Sequence, residues 1–249
     1  MARQIKSMYW NNVPNWVVKA QARSFDKLGF PISQHDATGI QHGVWIDRIL
    51  NDLDADANIL FVDIDCVPLN SGIVDRAFRA AEDGRLFGSA QTANHLPDSE
   101  LLYAAPSFLC FSKNTWQRLG KVSMSTSAEN DAAMALTRRA LSDGVAIELL
   151  MPTFVCCPKW PLGKEGATGY GTIYDGQVFH LFQSRDNKAY DFAFRYITNC
   201  VILGERPNLI ELHARMNSIS IRARSRLYAF NKRLHKLVRN SPDKMSKAI

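Results

Sequence analysis

Apolar residues recur along this chain with two different periods, and their alternation predicts an α/β protein. Ile5 to Trp10 reads as a first strand. Pro14 to Leu28 follows as a helix, with Trp16, Val17, Ala20 and Phe25 on one face and Gly29 at its end. A second strand fits Phe30 to His35, and a second helix, His42 to Leu53, turns Val44, Trp45, Ile49 and Leu50 inward. Ile59-Leu60-Phe61-Val62 is an unbroken apolar run, the pattern of a strand covered on both faces. The opening is therefore βαβαβ, which implies a mostly parallel, Rossmann-related sheet with helices on both faces. Further helices are expected at Ile73 to Ala81, Lys113 to Leu119 and Asp131 to Asp143. Strands are expected around Leu86 to Ala90, within Leu101 to Ser112, at Ala146 to Leu150 and at Gln177 to Phe182.

Two stretches break this rhythm. Between Gly163 and Gly171, four of the chain's 14 glycines fall in nine positions, which suggests a long flexible loop of the kind that serves as a lid. From Leu209 the spacing changes to three and four through Leu212, Met216, Ile219, Ala223, Leu227, Phe230, Leu234 and Leu237, the signature of one long amphipathic helix. Pro207 and Pro242 bound it. The expected division is a catalytic domain over residues 1–206 and a basic amphipathic helix with tail over residues 207–249.

Charge sharpens that division. The formal net charge is +6, yet from His213 onward ten Lys or Arg (Arg215, Arg222, Arg224, Arg226, Lys232, Arg233, Lys236, Arg239, Lys244, Lys247) face one acid, Asp243. Taking these from the totals leaves 20 basic and 23 acidic residues before it, so the basic character belongs to the extension. The five cysteines, Cys66, Cys110, Cys156, Cys157 and Cys200, lack C-x-x-C spacing and read as buried thiols. No apolar h-region follows Met1, and the apolar stretch Ile147 to Cys157 is interrupted by Glu148 and Pro152, so a cytoplasmic protein is expected, peripheral at most to the inner face of a membrane.

The candidate chemistry lies where the third strand ends. Val62-Asp63-Ile64-Asp65 places two carboxylates one residue apart, and a period of two aims them to the same side. They repel unless a cation lies between them, and oxygen ligands suit Mg2+ or Mn2+. A merely solvated turn is the other reading of such a tripeptide.

These residues, with the order of elements around them, resemble the D-x-D motif of GT-A glycosyltransferases, the nucleotide-diphospho-sugar transferases. The likeness spans approximately residues 3 to 190. It implies a GT-A-like fold and a reaction that moves a sugar from a nucleotide-diphosphate donor to a hydroxyl acceptor. The strand and loop at Ala105 to Lys113 would lie beside the donor sugar. His180 would complete the metal site with Asp65 and Asp63; an isolated strand histidine is more often bonded to backbone, but its position after the glycine-rich loop favours the ligand reading. Asp131 would act as a base on the acceptor or as a partner of the donor sugar, with Asn130 beside it. The inverting members usually carry Glu-Asp or Asp-Asp where this chain has Asn130-Asp131 preceded by Glu129, which leaves the stereochemistry open. Tyr9, Trp10 and Asn11 would flank the nucleotide, and Lys159, Lys164 and Arg185 would offer positive charge to the diphosphate. Trp45 reads as core.

Two other readings compete. Phe61 to Val67 also fits the nucleophile motif of haloacid-dehalogenase-type phosphatases, with Asp63 attacking phosphorus and Asp65 as acid and base. That motif normally occupies the first strand of its fold, whereas two βα units precede it here. Alternatively, the basic helix is the functional element and binds nucleic acid or an anionic membrane, or pairs in a homodimer. A glycan, lipid-linked or nucleic-acid acceptor is compatible with such a tail. Sugar, nucleotide and acceptor are set by loop contacts that the sequence does not expose.

Overall fold

The computed structural model describes residues 2–93, 96, 100–185 and 187–239. Asp243, Lys244 and Lys247 of the basic tail, and the side chains of positions 232–239, lie outside what is described.

The first half of the chain builds the central sheet. In order come β1 (Arg3–Tyr9), α1 (Asn15–Lys27), β2 (Ser33–Asp36), α2 (His42–Asp52) and β3 (Asn58–Asp63). After a short strand, β4 (Cys66–Pro68), follow α3 (Ser71–Glu82), β5 (Leu86–Gln91), β6 (Tyr103–Ser112), α4 (Lys113–Arg118), α5 (Met134–Ser142) and β7 (Ile147–Leu150). Six of these strands form one sheet in the order β2-β1-β3-β6-β5-β7. It is parallel at β1–β2, β1–β3 and β5–β7, and only β6 runs antiparallel to its neighbours. This is the mixed α/β architecture with a mostly parallel sheet that the pattern predicted.

The apolar run of β3 explains why helices cover both faces. Ile59 and Phe61 pack with Trp45, Ile46 and Leu50 of α2, Trp116 of α4 and Leu136 of α5. Leu60 and Val62 point the other way, against Phe25 of α1 and Ile73, Val74, Ala77 and Phe78 of α3. All four strand residues are essentially inaccessible. Each contributes on the order of 1.5–3 kcal/mol of burial, so the strand cannot slip without exposing a full row. Helix α3 is capped by the Asn70 side chain, which accepts from the Ile73 N–H, and α4 by Ser112, which accepts from Thr115 N–H.

A second, four-stranded antiparallel sheet, β4-β10-β9-β8, uses β8 (Pro152–Pro161), β9 (Ala167–Tyr174) and β10 (Val178–Leu181). It rests with α1, α6 (Asp191–Leu203) and α7 (Leu209–Met216) in a third apolar cluster. The short β4 was not foreseen, because three residues carry no readable period.

Three expectations are corrected. The glycine-rich segment is a β-hairpin with a 3-10 turn at Gly163–Glu165, and a Cβ on Gly169 would fall 2.3 Å from the Cys156 carbonyl oxygen. Its glycines permit close strand approach, so no free lid is present there. The helix expected from Asp131 begins at Met134, after Ala133 takes a positive φ of 66°. The single amphipathic helix is two, α7 and α8 (Ile219–Arg239), broken where α7 ends at Asn217. There the Asn217 amide caps back onto the His213 carbonyl.

Candidate metal centre and its cleft

The change from one sheet to the other creates the site. Asp63 is the last residue of β3, and Ile64 and Asp65 make a turn before Cys66 opens β4. The two carboxylates therefore meet through a turn, whereas strand alternation was the expected cause. Gln21 of α1, wholly buried, holds this turn by donating to the carbonyls of Asp63 (2.6 Å) and Cys66 (2.9 Å). Gln34 in turn donates to Gln21 Oε1 at 2.9 Å.

Antiparallel pairing brings the histidine. Residue Cys66 of β4 lies opposite His180 of β10, and the Leu181 N–H donates to the Asp65 carbonyl at 2.9 Å. His180 Nε2 thus comes to 3.5 Å from Asp63 Oδ2 and 3.4 Å from Asp65 Oδ1. One ligand atom from each of the three residues lies within 4.8 Å of the others. That separation suits a divalent cation bound by two carboxylates and an imidazole, so the donor set fits Mg2+ or Mn2+. Nδ1 of His180 is buried without a hydrogen-bond partner among the described residues, which leaves Nε2 as the ring's polar face toward the carboxylates. Phe182 packs against the imidazole with ring centroids 3.9 Å apart.

Burial acts to raise the Asp65 carboxyl, but the hydrogen bond and charge of His180, and the Ser184 N–H at 3.3 Å, outweigh it and hold the group below its ordinary value. Asp65 therefore stays a carboxylate although only 8% of it is exposed.

The cluster opens into a cleft of about 510 Å³. Of the residues singled out in the sequence, Tyr9, Trp10, Asp63, Asp65, Asp131, His180 and Arg185 line it. The Arg185 guanidinium lies 4.8 Å from the centre of the Trp10 ring, whose indole N–H donates to the Ile40 carbonyl. Asp131 Oδ2 accepts from the Tyr103 hydroxyl at 2.8 Å, and burial followed by the Asp131 charge pushes that phenol well above its usual value. Its other oxygen accepts from the Ala132 N–H, so Asp131 is held by its own turn and by β6 and does not cap a helix.

The remaining four lie outside the lining. Asn11 is exposed and uses its backbone N–H on Thr38. Asn130 is tied to Ser127. Lys164 sits exposed at the hairpin tip. Lys159 donates to the Tyr170 hydroxyl and to Gln183 Oε1 (3.1 Å), and so positions a residue that does line the cleft.

The structure adds His42, which no motif announced, and shows how Pro106 and Ser107 of the segment expected beside the donor reach the cleft. His42 opens α2 with Nδ1 3.6 Å from Asp63 Oδ1. The next residue, Gly43, lies against the Met124–Ser125 backbone, where a Cβ would come within 2.1 Å of the Met124 carbonyl oxygen. Asp47 anchors the same segment, accepting from the Met124 N–H and the Ser123 hydroxyl. Pro106 and Ser107 enter the cleft because β6 bulges against β5 at Gly88/Ser89, and proline suits a position that donates no ladder bond. Ser107 and Ser89 share a hydrogen bond of 2.6 Å beneath it.

No known family profile matches the sequence, and no curated protein does. Among solved structures, A197 from STIV shares 12% identity over 60% of this chain and 82% of its own, with a TM-score of 0.39. A protein described as a glucose-1-phosphate thymidylyltransferase from Bacillus anthracis, solved with sucrose, shares 8% identity over 59% of this chain and 86% of its own, with a TM-score of 0.37. Overlaps this loose settle nothing about function.

Proposed function

We propose that this chain is a metal-dependent glycosyltransferase of the GT-A type, transferring a sugar from a nucleotide-diphosphate donor to a hydroxyl acceptor. The observation that carries this reading is the Asp63, Asp65 and His180 cluster opening into a cleft that also holds Arg185, Trp10 and Asp131. Asp63, Asp65 and His180 would hold Mn2+ or Mg2+, and that cation supplies charge neutralisation for a departing diphosphate. Arg185, steadied over Trp10, adds a second positive charge that stays in place as the leaving group develops. Tyr103 orients Asp131 by donating to one carboxylate oxygen. Asp131 would receive the acceptor proton in an inverting reaction or contact the donor sugar in a retaining one. The anomeric configuration of the product separates the two.

The phosphatase reading of the same motif has less support. Among the described residues no lysine lines the cleft, and β3 lies between β1 and β6 after two βα units. Incubating the protein with Mn2+ and a panel of nucleotide sugars tests the proposal, the expected result being slow donor hydrolysis that Asp65→Asn abolishes. Turnover of a generic phosphomonoester with every nucleotide sugar left intact would overturn it.

A further inference from the structure

Over residues 219–231, whose side chains are described, the amphipathic helix α8 leaves its main apolar stripe uncovered. Within that span its buried residues are Ile221 and Ser225, one helical turn apart, which are 9% and 8% exposed. There the Asn187 amide donates to the Ser225 hydroxyl at 2.7 Å. At 3.6 residues per turn, Ile219, Ala223, Leu227 and Phe230 fall about half a turn away from that contact edge. Ile219 is 89% exposed, Leu227 60% and Phe230 59%. Leu234 and Leu237 continue the spacing in the sequence. Exposed Arg222 and Arg226 border this stripe on one side and exposed Arg224 on the other, and no Asp or Glu occurs between Ile219 and Arg239.

A helix that buries only the narrow edge of Ile221 and Ser225 and turns its apolar stripe outward is built to be covered by something else. A second copy of α8 laid against the stripe would bring arginines against arginines with no acid to relieve them. Nucleic acid would answer the arginines and leave the stripe in water. A lipid surface with anionic headgroups answers both, because the apolar residues enter the acyl boundary while the arginines reach phosphate. We propose that α8 docks this protein on an anionic lipid surface. The inference is independent of the reaction proposed above. It also has a bearing on the cleft, because Asn187, the partner of α8, lies two residues beyond Arg185.

Co-sedimentation of the full chain with vesicles tests this. Phosphatidylcholine vesicles should leave the protein in the supernatant, and vesicles containing phosphatidylglycerol should pellet it, less so as salt rises. The paired change Leu227→Ser and Phe230→Ser should weaken binding roughly tenfold or more. Arg222→Gln and Arg226→Gln should each cost about fivefold. These side chains are exposed, so an unchanged melting temperature verifies that each variant is folded. Absence of pelleting with anionic vesicles would overturn the proposal, as would pelleting unaffected by either set of changes. A self-association abolished by the Leu227 and Phe230 changes, without vesicle binding, would assign the stripe to a second copy. Binding of duplex RNA in place of vesicles would assign the helix to nucleic acid.

Discussion

Replacing Asp65 with asparagine removes one negative charge from the cluster while keeping the side chain's shape and its acceptor for the Ser184 N–H. In the native protein the three ligand atoms already lie within 4.8 Å of one another, so a divalent cation needs little rearrangement to bind. At a free Mn2+ concentration one hundred times the dissociation constant, binding to the folded state alone stabilises it by about 2.7 kcal/mol. For a domain of this size that raises the melting temperature by roughly 5–11 °C. Altering the groups that merely orient metal ligands weakens affinity about 10–100-fold, and losing a charged ligand should do at least as much. At the same Mn2+ concentration, a hundredfold weaker site retains only about 0.4 kcal/mol, or roughly 1–2 °C. Thermal melts of native protein and Asp65→Asn, with and without Mn2+, read the difference directly, and Ca2+-free chelated samples supply the baseline. Equal Mn2+ shifts in both proteins would refute the assignment, as would the absence of any shift in the native protein at millimolar Mn2+. In the latter case the cluster would be a plain histidine–carboxylate ion pair.

Other consequences follow from single contacts. Gly43→Ala would drive a methyl group into the Met124 carbonyl, so urea denaturation should show a loss of about 1–3 kcal/mol. Tyr103→Phe removes the donor to Asp131, costing about 1.5–3 kcal/mol of interaction with a charged acceptor, and the variant's donor-transfer rate should fall if Asp131 takes part in transfer. Burial raises Asp191 to about 6, against the pull of Lys188 and Arg195 and with some help from Asp65. The folded state thus holds that proton more tightly than the unfolded chain, and native stability declines as pH rises from about 4 to about 6. Asp191→Asn lacks this titration, so its melting temperature should gain on the native protein across that interval and run parallel above it; a pH-independent difference would contradict the buried carboxyl. Gln21→Met leaves the Asp63 and Cys66 carbonyls without their donor, and the expected outcome is a weaker Mn2+ shift in the melting assay than in the native protein.

Much of the central sheet was legible because its strands are long enough to show their period. The run from Ile59 to Val62 could pack only as a strand covered on both faces, and Trp45 could face only inward. The C-terminal spacing announced an amphipathic helix, but could not show which edge would touch the protein. A periodic pattern identifies an apolar face without saying what covers it, and here the small contact at Ile221 and Ser225 turns that face outward. Glycine spacing likewise could not separate a mobile loop from a tightly paired hairpin, because both need residues without a Cβ.

The candidate site divides in the same way. Asp63, Asp65 and His180 could be named from the sequence because carboxylates flanking a buried strand end are conspicuous, and a resemblance supplied the histidine. His42, Tyr103 and Gln183 carried no such mark, since each reaches the cleft through a helix start, a strand end or a turn set by distant packing, whereas Ser107, in the segment expected beside the donor, gets there through a bulge. Local sequence determined the strands, the helices and the position of the paired acids, because these depend on neighbours within a few residues. Only the tertiary structure decided that a turn between two sheets, gripped by Gln21 and closed by β10, would bring Asp63 and Asp65 to one imidazole. That meeting depends on contacts between residues more than a hundred positions apart, which no local pattern encodes.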